Sequence, residues 1–330
     1  MKIEPLNQRL PGIIFVVLIA LAACWLGNRL PLVGGPVFGL LLGMLLALRS
    51  QSEHFAAGTA FAAKNYLPIA IILLGFEMNL FSILEVGGQS LYIIFFTLAA
   101  AFFTAWFFGH YFQLSGNTSI LIGVGTAICG GSAIAATAPV IAASEKDVAY
   151  SLSTIFLFNI AAVLLFPALG HHLGMSDIGF GMWAGTAIND TSSVVVAGYS
   201  YSEAAGNFAT IVKLTRALMI IPVTLVLAVF TARTDSRNQP VRLRDIFPWF
   251  ILGFLATALL NTSGAISAIL ANWLSQAGKF MIIMAMVAIG LNTPLRQLTS
   301  SGVKPILLGL SCWLAVSVVS VISQHYLAIW

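Results

Sequence analysis

The chain has 330 residues, of which 59% are hydrophobic and only 8% are charged, and its mean hydropathy is +0.97. A soluble globular domain carries about 25% charged residues, so this composition excludes an ordinary soluble protein. The formal net charge of +4 comes from basic residues that are dispersed over short loops and form no stripe, which argues against a nucleic-acid partner. The composition therefore predicts a polytopic membrane protein.

Eleven apolar segments, most of them close to the roughly 20 residues that span a bilayer, follow one another along the chain. They cover residues 13–30, 35–49, 61–80, 90–112, 118–143, 148–170, 178–200, 207–232, 246–261, 267–292 and 303–328. No sizeable polar region separates them, which predicts a single all-α transmembrane domain over residues 1–330, surrounded by the lipid bilayer. The first segment lacks a good cleavage site, so we expect a retained helix and not a signal peptide.

The distribution of Lys and Arg residues predicts the orientation of these segments. With a cytoplasmic N-terminus, ten of the fifteen basic residues fall in cytoplasmic loops: Lys2, Arg9, Arg49, Lys64, Arg233, Arg237, Arg242, Arg244, Arg296 and Lys304. Arg29, Lys146 and Lys279 fall on the outer side of the membrane. The pattern predicts a multi-pass protein of a bacterial inner membrane. The basic loop over residues 232–245 either touches anionic lipid or is simply solvated.

An internal repeat emerges when the sequence is shifted by 215 residues, because residues 63–87 then align with residues 278–302 and Gly75 falls on Gly290. The wider repeat-related segments are residues 36–100 and 250–315. Each copy lies seven segments from its counterpart, and an odd separation places the two copies in opposite orientations. The sequence therefore predicts inverted repeats, which are common in secondary transporters.

The segment 118–143 contains the stretch GVGTAICGGSAIAATAPVI, which is unusually rich in small and polar residues. Adjacent glycines at Gly130 and Gly131 each cost about 1 kcal/mol relative to alanine inside a helix. They favour an unwound backbone, which is tolerated at membrane depth only inside the protein or along a cavity. A new half-helix would begin near Ser132, and its free N–H groups would attract an anion. Tight helix packing through small residues is the open alternative.

The segment 178–200 repeats the letters GTAI sixty residues later and continues as NDTSSVVV. A second break is predicted at Asn189–Ser192, where Asp190, Thr191 and Ser192 are good N-caps for the next half-helix. An acidic residue at membrane depth costs about 2.5–3.5 kcal/mol, so Asn189 and Asp190 indicate a function. The two GTAI segments run parallel in this count, which leaves open a permuted helix pair or a re-entrant segment.

Two basic residues, Lys213 and Arg216, lie three residues apart on one predicted helical face. They either point into the same cavity, with Asp190 as a partner, or Lys213 snorkels to the outer interface. The predicted substrate site combines them with both breaks, and Asp190 is also the predicted coupling residue. Its members are Thr126, Cys129, Gly130, Gly131, Ser132, Thr186, Asn189, Asp190, Thr191, Ser192, Lys213 and Arg216. Cys129 has the alternative role of a small buried hydrophobe.

The stretches GTAICGGSAIAATAPVIAA, GTAINDTSSVVVAG, VKLTRALMIIP and FMIIMAMVAIGL resemble the bacterial family of proposed sulfate exporters. The resemblance runs from Pro36 to about Leu310. It implies a secondary carrier with inverted repeats and broken helices that is distantly related to cation/proton antiporters. Members of the family often have a histidine before the acidic residue, where this chain has Asn189. Asp190 alone would then carry any protonation step.

The sequence thus predicts a secondary transporter that exports a small anionic solute such as sulfate or a sulfonate. Access would alternate as one repeat rocks against the other, with coupling to a proton or sodium gradient. The sequence leaves open whether the protein forms a homo-oligomer. An anion channel is the alternative, and an intramembrane enzyme is less favoured because the chain lacks the usual hydrolase and metalloprotease motifs. Three cysteines without metal-ligand spacing predict neither a disulfide nor a metal, and no cofactor is expected.

Overall fold

The computed structural model of the chain describes residues 6–30, 35–48, 53–232, 249–292 and 302–329, and this part is built from helices. The helices are α1 (Leu6–Arg29), α2 (Gly35–Ala47), α3 (Glu53–Leu74), α4 (Leu80–Tyr111), α5 (Gly116–Ala127), α6 (Gly131–Thr137), α7 (Glu145–His172), α8 (Asp177–Ala187), α9 (Thr191–Tyr201), α10 (Glu203–Ala217), α11 (Ile220–Ala232), α12 (Phe250–Thr262), α13 (Ala268–Leu291) and α14 (Val303–Tyr326).

These helices account for the eleven predicted segments. Within the described residues, seven helical stretches are long and apolar enough to cross a membrane, and α2 and α12 are shorter apolar helices. The other two segments, 118–143 and 178–200, are each divided into two helices, α5 with α6 and α8 with α9. The predicted all-α polytopic fold with discontinuous helices is confirmed.

Another predicted segment, 207–232, has an interruption that was not predicted. Helix α10 ends at Ala217 and α11 begins at Ile220. Pro222 explains the interruption, because it has no N–H to donate and its ring clashes with the carbonyl of Leu218 four residues earlier. Two short-range bonds tighten the chain here, from the N–H of Met219 to the Arg216 carbonyl (3.0 Å) and from the N–H of Ile221 to the Leu218 carbonyl (3.2 Å).

The chain divides into two compact units. Unit 1 comprises residues 1–85, 195–203 and 249–295, and unit 2 comprises residues 86–194, 204–248 and 296–330. The units are interleaved along the sequence, so each is assembled from segments that are far apart in the chain.

In unit 1, helices α3 and α13 run antiparallel. Gly278, in the first half of α13, packs against Ala70 and Leu73 in the last half of α3. Ala62, nearer the start of α3, shares a buried apolar cluster with Ala288, near the end of α13. Residues 63–87 and 278–302 are the predicted copies of the repeat, and an antiparallel pair of helices is the relative orientation that an inverted repeat requires.

Two further contacts in unit 1 match each other under the same repeat. Helix α13 meets α2 where Gly290 and Gly43 bring the two backbones together, since a Cβ at Gly290 would lie 2.4 Å from the Leu40 carbonyl oxygen. Helix α3 meets α12, where the Thr257 hydroxyl donates to the Ile72 carbonyl (2.7 Å). The alignment pairs α2 with α12 and α3 with α13, so one packing arrangement occurs twice in the unit.

Unit 2 has a frame made by two parallel helices, α7 and α14. Gly309 of α14 packs against Thr154 and Phe158 of α7. One turn further along α14, the Trp313 ring lies 5.4 Å from Phe158 and 5.7 Å from Phe166. Both helices therefore start at the same end of the unit, which we call the first end, and they finish at the second end.

Residues 116–143 enter unit 2 at the first end and return to it. The Ser115 and Thr118 hydroxyls, at the start of α5, each donate to the Asp147 carboxylate at the start of α7 (2.6 Å). Deeper in the unit, Gly125 of α5 packs against Ile155 of α7, so the two helices are parallel. Helix α6 folds back along α5, since Ile134 also contacts Gly125. We call residues 116–143 the first hairpin.

Helix α8 and the first residues of α9, residues 177–194 of unit 2, form a second hairpin that enters from the second end. Helix α8 begins five residues after α7 finishes there, and Phe166 of α7 stacks on Trp183 of α8 with a centroid distance of 4.0 Å. Helix α10 runs parallel to α8, because Gly181 packs against Phe208 and Gly185 packs against Val212. Helices α8 and α10 therefore both start at the second end, and the chain between their unit 2 residues passes through α9, whose residues 195–201 belong to unit 1.

For the GTAI pair, the two hairpins favour the re-entrant alternative over a permuted helix pair. Each copy ends the first helix of a hairpin, and the two hairpins point in opposite directions. One sequence prediction is wrong as a consequence: Lys146 and Lys304 were placed on opposite sides of the membrane, but they line one cavity of about 450 Å³ at the first end. The cause is that residues 118–143 are long enough to cross and yet turn back.

Candidate functional site

The tip of the first hairpin is an unwound stretch between α5 and α6. Helix α5 ends at Ala127, and Gly130 adopts φ +67° and ψ −126°, a conformation that in practice only glycine takes. The N–H of Gly130 donates back to the Gly125 carbonyl (2.9 Å), which closes the end of α5. Helix α6 begins at Gly131, one residue before the predicted start near Ser132.

The tip of the second hairpin lies between α8 and α9. Helix α8 ends at Ala187, and Ile188 is already extended. The Asp190 carboxylate accepts hydrogen bonds from the N–H groups of Ser192 (3.0 Å) and Ser193 (3.4 Å). Asp190 therefore caps α9, as its position in the sequence predicted. The capping also means that this helix start is held by a carboxylate of the chain itself.

The two tips touch each other inside unit 2. A Cβ placed on Gly130 would lie 3.5 Å from the Asp190 Cβ. Thr126 is fully buried and Asn189 is 1% exposed, whereas Asp190 is partly buried and Ser132, beside the first tip, is exposed. The breaks that were predicted independently in two segments are thus brought together in one place.

Lys213 of α10 binds both tips at once. Its ammonium group donates to the carbonyl oxygen of Ile128 in the first tip (2.7 Å) and to those of Ile188 (3.0 Å) and Asn189 in the second. The side chain is completely buried. All three N–H donors of the ammonium group therefore have backbone acceptors.

Arg216, one turn further along α10, repeats this arrangement. Its guanidinium donates to the Ala127 carbonyl (2.7 Å), to the Thr126 carbonyl and to the Ile188 carbonyl (3.1 Å). It is also completely buried. The burial of both cations rules out snorkelling to an interface.

These contacts follow from the chemistry of helix ends. The last carbonyls of a helix have no partner within it and carry about half a negative charge. Two such ends, those of α5 and α8, converge at the tips, and two buried cations satisfy them. The predicted convergence of Lys213 and Arg216 on the breaks is observed, but their donors face backbone oxygens, and no ion pair within the described residues joins either of them to Asp190.

The formal charges at the tips leave a positive excess. The half-charges of the two helix C-termini oppose those of the two helix N-termini that start at the same tips. The side chains then contribute two positive charges, from Lys213 and Arg216, and one negative charge, from Asp190. An excess of one positive charge in a buried site favours an anionic ligand over a cationic one.

Three buried side chains near the tips have polar atoms without a hydrogen-bond partner among the described residues: the Thr126 hydroxyl, the Asn189 side-chain oxygen and both amide atoms of Asn159. Asn159 is 3% exposed and lies one helical turn after Ile155, which packs against Gly130. The predicted site omitted it. An asparagine within an apolar segment nevertheless predicts either a cavity residue or an interhelical hydrogen bond.

The other predicted members take varied positions. Cys129 is buried, Ser132 is exposed, Thr191 is 8% exposed and Ser192 is partly buried. The Thr186 hydroxyl donates to the Met182 carbonyl (2.7 Å) and shares a hydrogen bond with the Ser320 hydroxyl (2.6 Å), so it ties α8 to α14. In the part of the chain that the structure describes, no group of three or more His, Cys, Asp or Glu side chains could hold a metal ion.

Comparison with known proteins assigns the chain to a family. The model of the family described as "Conserved hypothetical protein 698" matches residues 11–309. A UPF0324 membrane protein of Streptococcus mutans serotype c is 47% identical over 337 aligned positions, covering 98% of both chains. The chain belongs to the UPF0324 membrane protein family. Another UPF0324 member, from Fusobacterium nucleatum, is 44% identical and covers 98% of this chain and all of its own length.

A further UPF0324 member, from Streptococcus pyogenes serotype M18, is 46% identical with 98% coverage of both chains. The names of these relatives record membrane proteins and mention no substrate. No solved structure matches the chain. The UPF0324 assignment thus agrees with the membrane-embedded fold, and any function must be argued from the site.

Proposed function

We propose that this UPF0324 protein is a secondary active transporter that exports a small anionic solute, such as sulfate or a sulfonate, by alternating access under a proton or sodium gradient. The observation that carries the proposal is the meeting of two oppositely directed hairpins at a buried point with a positive excess. Each hairpin separates this point from one end of unit 2. Exposure of this point to one side at a time is what alternating access requires.

The ligand would lie beside the tips, in the positive field of Lys213 and Arg216. Both cations are held in place by backbone carbonyls, so they need no reorganisation when an anion arrives. Direct contacts would come from groups that still lack partners, the Thr126 hydroxyl and the Asn159 amide. Asp190 is the proposed coupling residue because it is the only acid at the two tips.

The site belongs to one unit. Its charged residues and both tips are contributed by residues 86–194 and 204–248. We therefore propose that the site moves together with unit 2, in place of the expected rocking of one repeat against the other about a fixed site. We propose transport without a catalytic step, so the protein would not be an enzyme. A homo-oligomer is compatible with this arrangement.

The hairpins also sharpen the proposed orientation. If both turn back, the loop that holds Lys146 joins the side assigned to the N-terminus, and the ten basic residues predicted there become eleven of fifteen. Arg29 and Lys279 alone stay outside, with Lys213 and Arg216 buried. This stronger bias supports a cytoplasmic N-terminus in a bacterial inner membrane.

The test is uptake of radiolabelled sulfate into proteoliposomes, with and without an imposed pH or sodium gradient. We expect gradient-dependent uptake by the wild type and loss of at least 90% of it in Asp190→Asn and Lys213→Ala. A panel of sulfonates and carboxylates extends the assay beyond sulfate. Saturation and counterflow support a carrier, whereas non-saturating flux with single-channel currents would replace it by an anion channel.

A further inference from the structure

The carbonyl oxygens at the two tips form a site of the kind that binds a metal cation in other carriers. Where transporter helices are interrupted, unwound carbonyls and the C-terminal ends of half-helices coordinate Na⁺. Here the same elements supply the oxygens of Ile128, Ile188 and Asn189. They surround a lysine ammonium group, with the Ile128 oxygen at 2.7 Å and the Ile188 oxygen at 3.0 Å.

We propose that Lys213 and Arg216 are tethered replacements for a transported cation, so that no Na⁺ binds at the hairpin tips and Na⁺ does not drive transport. The cation that would stabilise the two negative helix ends is covalently part of α10. It cannot dissociate, and it therefore cannot transfer the energy of a sodium gradient to the substrate.

Three observations support this assignment. Lys213 and Arg216 are both fully buried, so neither exchanges with solvent. Each bridges the two hairpins, as a coordinated ion would. The Ile188 oxygen accepts from both side chains, at 3.0 Å and 3.1 Å, which leaves that carbonyl with no lone pair for a metal ion.

Removal of the tethered charge should recreate a cation site. Lys213→Ala leaves a space lined by three carbonyl oxygens, of which those of Ile128 and Asn189 have lost their donor and that of Ile188 keeps only Arg216, and a small monovalent cation is the simplest way to satisfy them. Lys213→Arg is the matched control, because it retains a positive charge on a long side chain at the same position. The part of this inference that concerns Na⁺ binding does not depend on the proposed function; only the part that concerns driving transport rests on it.

The experiment measures the thermal unfolding midpoint of the purified protein in NaCl and in choline chloride at equal ionic strength. We expect no difference for the wild type and for Lys213→Ala a rise on the order of 5 °C in saturating Na⁺. Lys213→Arg should behave as the wild type. In proteoliposomes, wild-type uptake of the transported anion should be the same with and without a sodium gradient.

The results that would overturn this inference differ from the result that would overturn only the proposed function. A wild-type midpoint that rises with Na⁺, or wild-type uptake that requires a sodium gradient, would overturn the proposal, and these measurements decide even if Lys213→Ala does not fold. A folded Lys213→Ala protein that ignores Na⁺ would also overturn it. If the expected midpoints are found but no anion is transported, the replacement of Na⁺ stands and the proposed function alone fails.

Discussion

Gly130 is the residue on which the shape of the first tip depends. Its φ of +67° with ψ of −126° is a conformation that costs a residue with a Cβ about 1–3 kcal/mol. We expect Gly130→Ala to destabilise the protein by about that amount and to abolish transport, as measured by thermal unfolding and uptake. Gly131→Ala is the control, because Gly131 is helical and a Cβ there meets only flexible side-chain atoms of Leu152 and Phe156, at 3.4 Å and 3.7 Å. Equal losses in both variants would contradict this account.

A substitution of Asn159 tests whether this residue contacts the ligand or is a buried polar group with no function. An unpaired buried amide costs about 1–3 kcal/mol, so Asn159→Leu should leave the unfolding midpoint unchanged or raise it. If the amide contacts the anion, the same change should raise KM about 10-fold. Thr154→Val is the matched control, since it removes another unpaired buried polar atom of α7 at a residue that packs against Gly309. An unchanged KM in Asn159→Leu would remove Asn159 from the proposed site.

How far the site could be predicted differs from residue to residue. The capping role of Asp190 was predictable, because a cap bonds only to N–H groups two or three residues further on. The partners of Lys213 were not, because backbone carbonyls carry no sequence signature and those of Ile128 and Asn189 are 85 and 24 residues away. Composition identified the charged and flexible residues, and tertiary structure alone could show which atoms meet.

At the scale of elements, glycine and capping chemistry predicted both breaks, but the path of the chain through them was predicted wrongly. A segment of 26 residues such as 118–143 has the length of one crossing and also that of a 12-residue and a 7-residue helix folded back to back. Apolar composition is the same in both cases. The deciding contact, between the Ser115 hydroxyl and the Asp147 carboxylate, joins residues 32 positions apart.

The hairpin can be tested by labelling single cysteines with a membrane-impermeant maleimide. Gln113→Cys and Lys146→Cys flank the first hairpin at exposed positions, and we expect reagent from the same side of the membrane to label both. Leu173→Cys, which follows α7 at the opposite end, should be labelled only from the other side. Wild-type protein serves as the blank for Cys24, Cys129 and Cys312. Labelling of positions 113 and 146 from opposite sides would show that residues 116–143 cross the membrane.

At the scale of the whole molecule, the predicted repeat did not reveal where the candidate site lies. The offset of 215 residues pairs α3 with α13, and their antiparallel contact in unit 1 is the orientation that an inverted repeat requires. Replacing two crossings by hairpins places each copy five crossings from its counterpart, still an odd number. The site, however, lies in unit 2 and outside the aligned residues, because a shared orientation of helices does not reveal where charges are buried.

If the site travels with unit 2, a covalent link inside that unit should be tolerated. The Thr186 and Ser320 oxygens are 2.6 Å apart, so cysteines at these two positions can be bridged by Hg²⁺. We expect the bridged double variant to retain at least half of its uptake, with each single variant treated with Hg²⁺ as the control. Complete loss of uptake on bridging alone would indicate that α8 and α14 must separate during transport.

The most direct test of the central claim, that a small anion passes the hairpin tips by alternating access, is the accessibility of Ser132→Cys. Ser132 is exposed beside the first tip, and Gln113→Cys, at an exposed position before the first hairpin, is the control. Impermeant thiol reagents applied to either side of oriented vesicles should label position 132, and the transported anion should slow this labelling while leaving the control unchanged. Labelling from one side only, unaffected by any anion that is transported, would contradict the account.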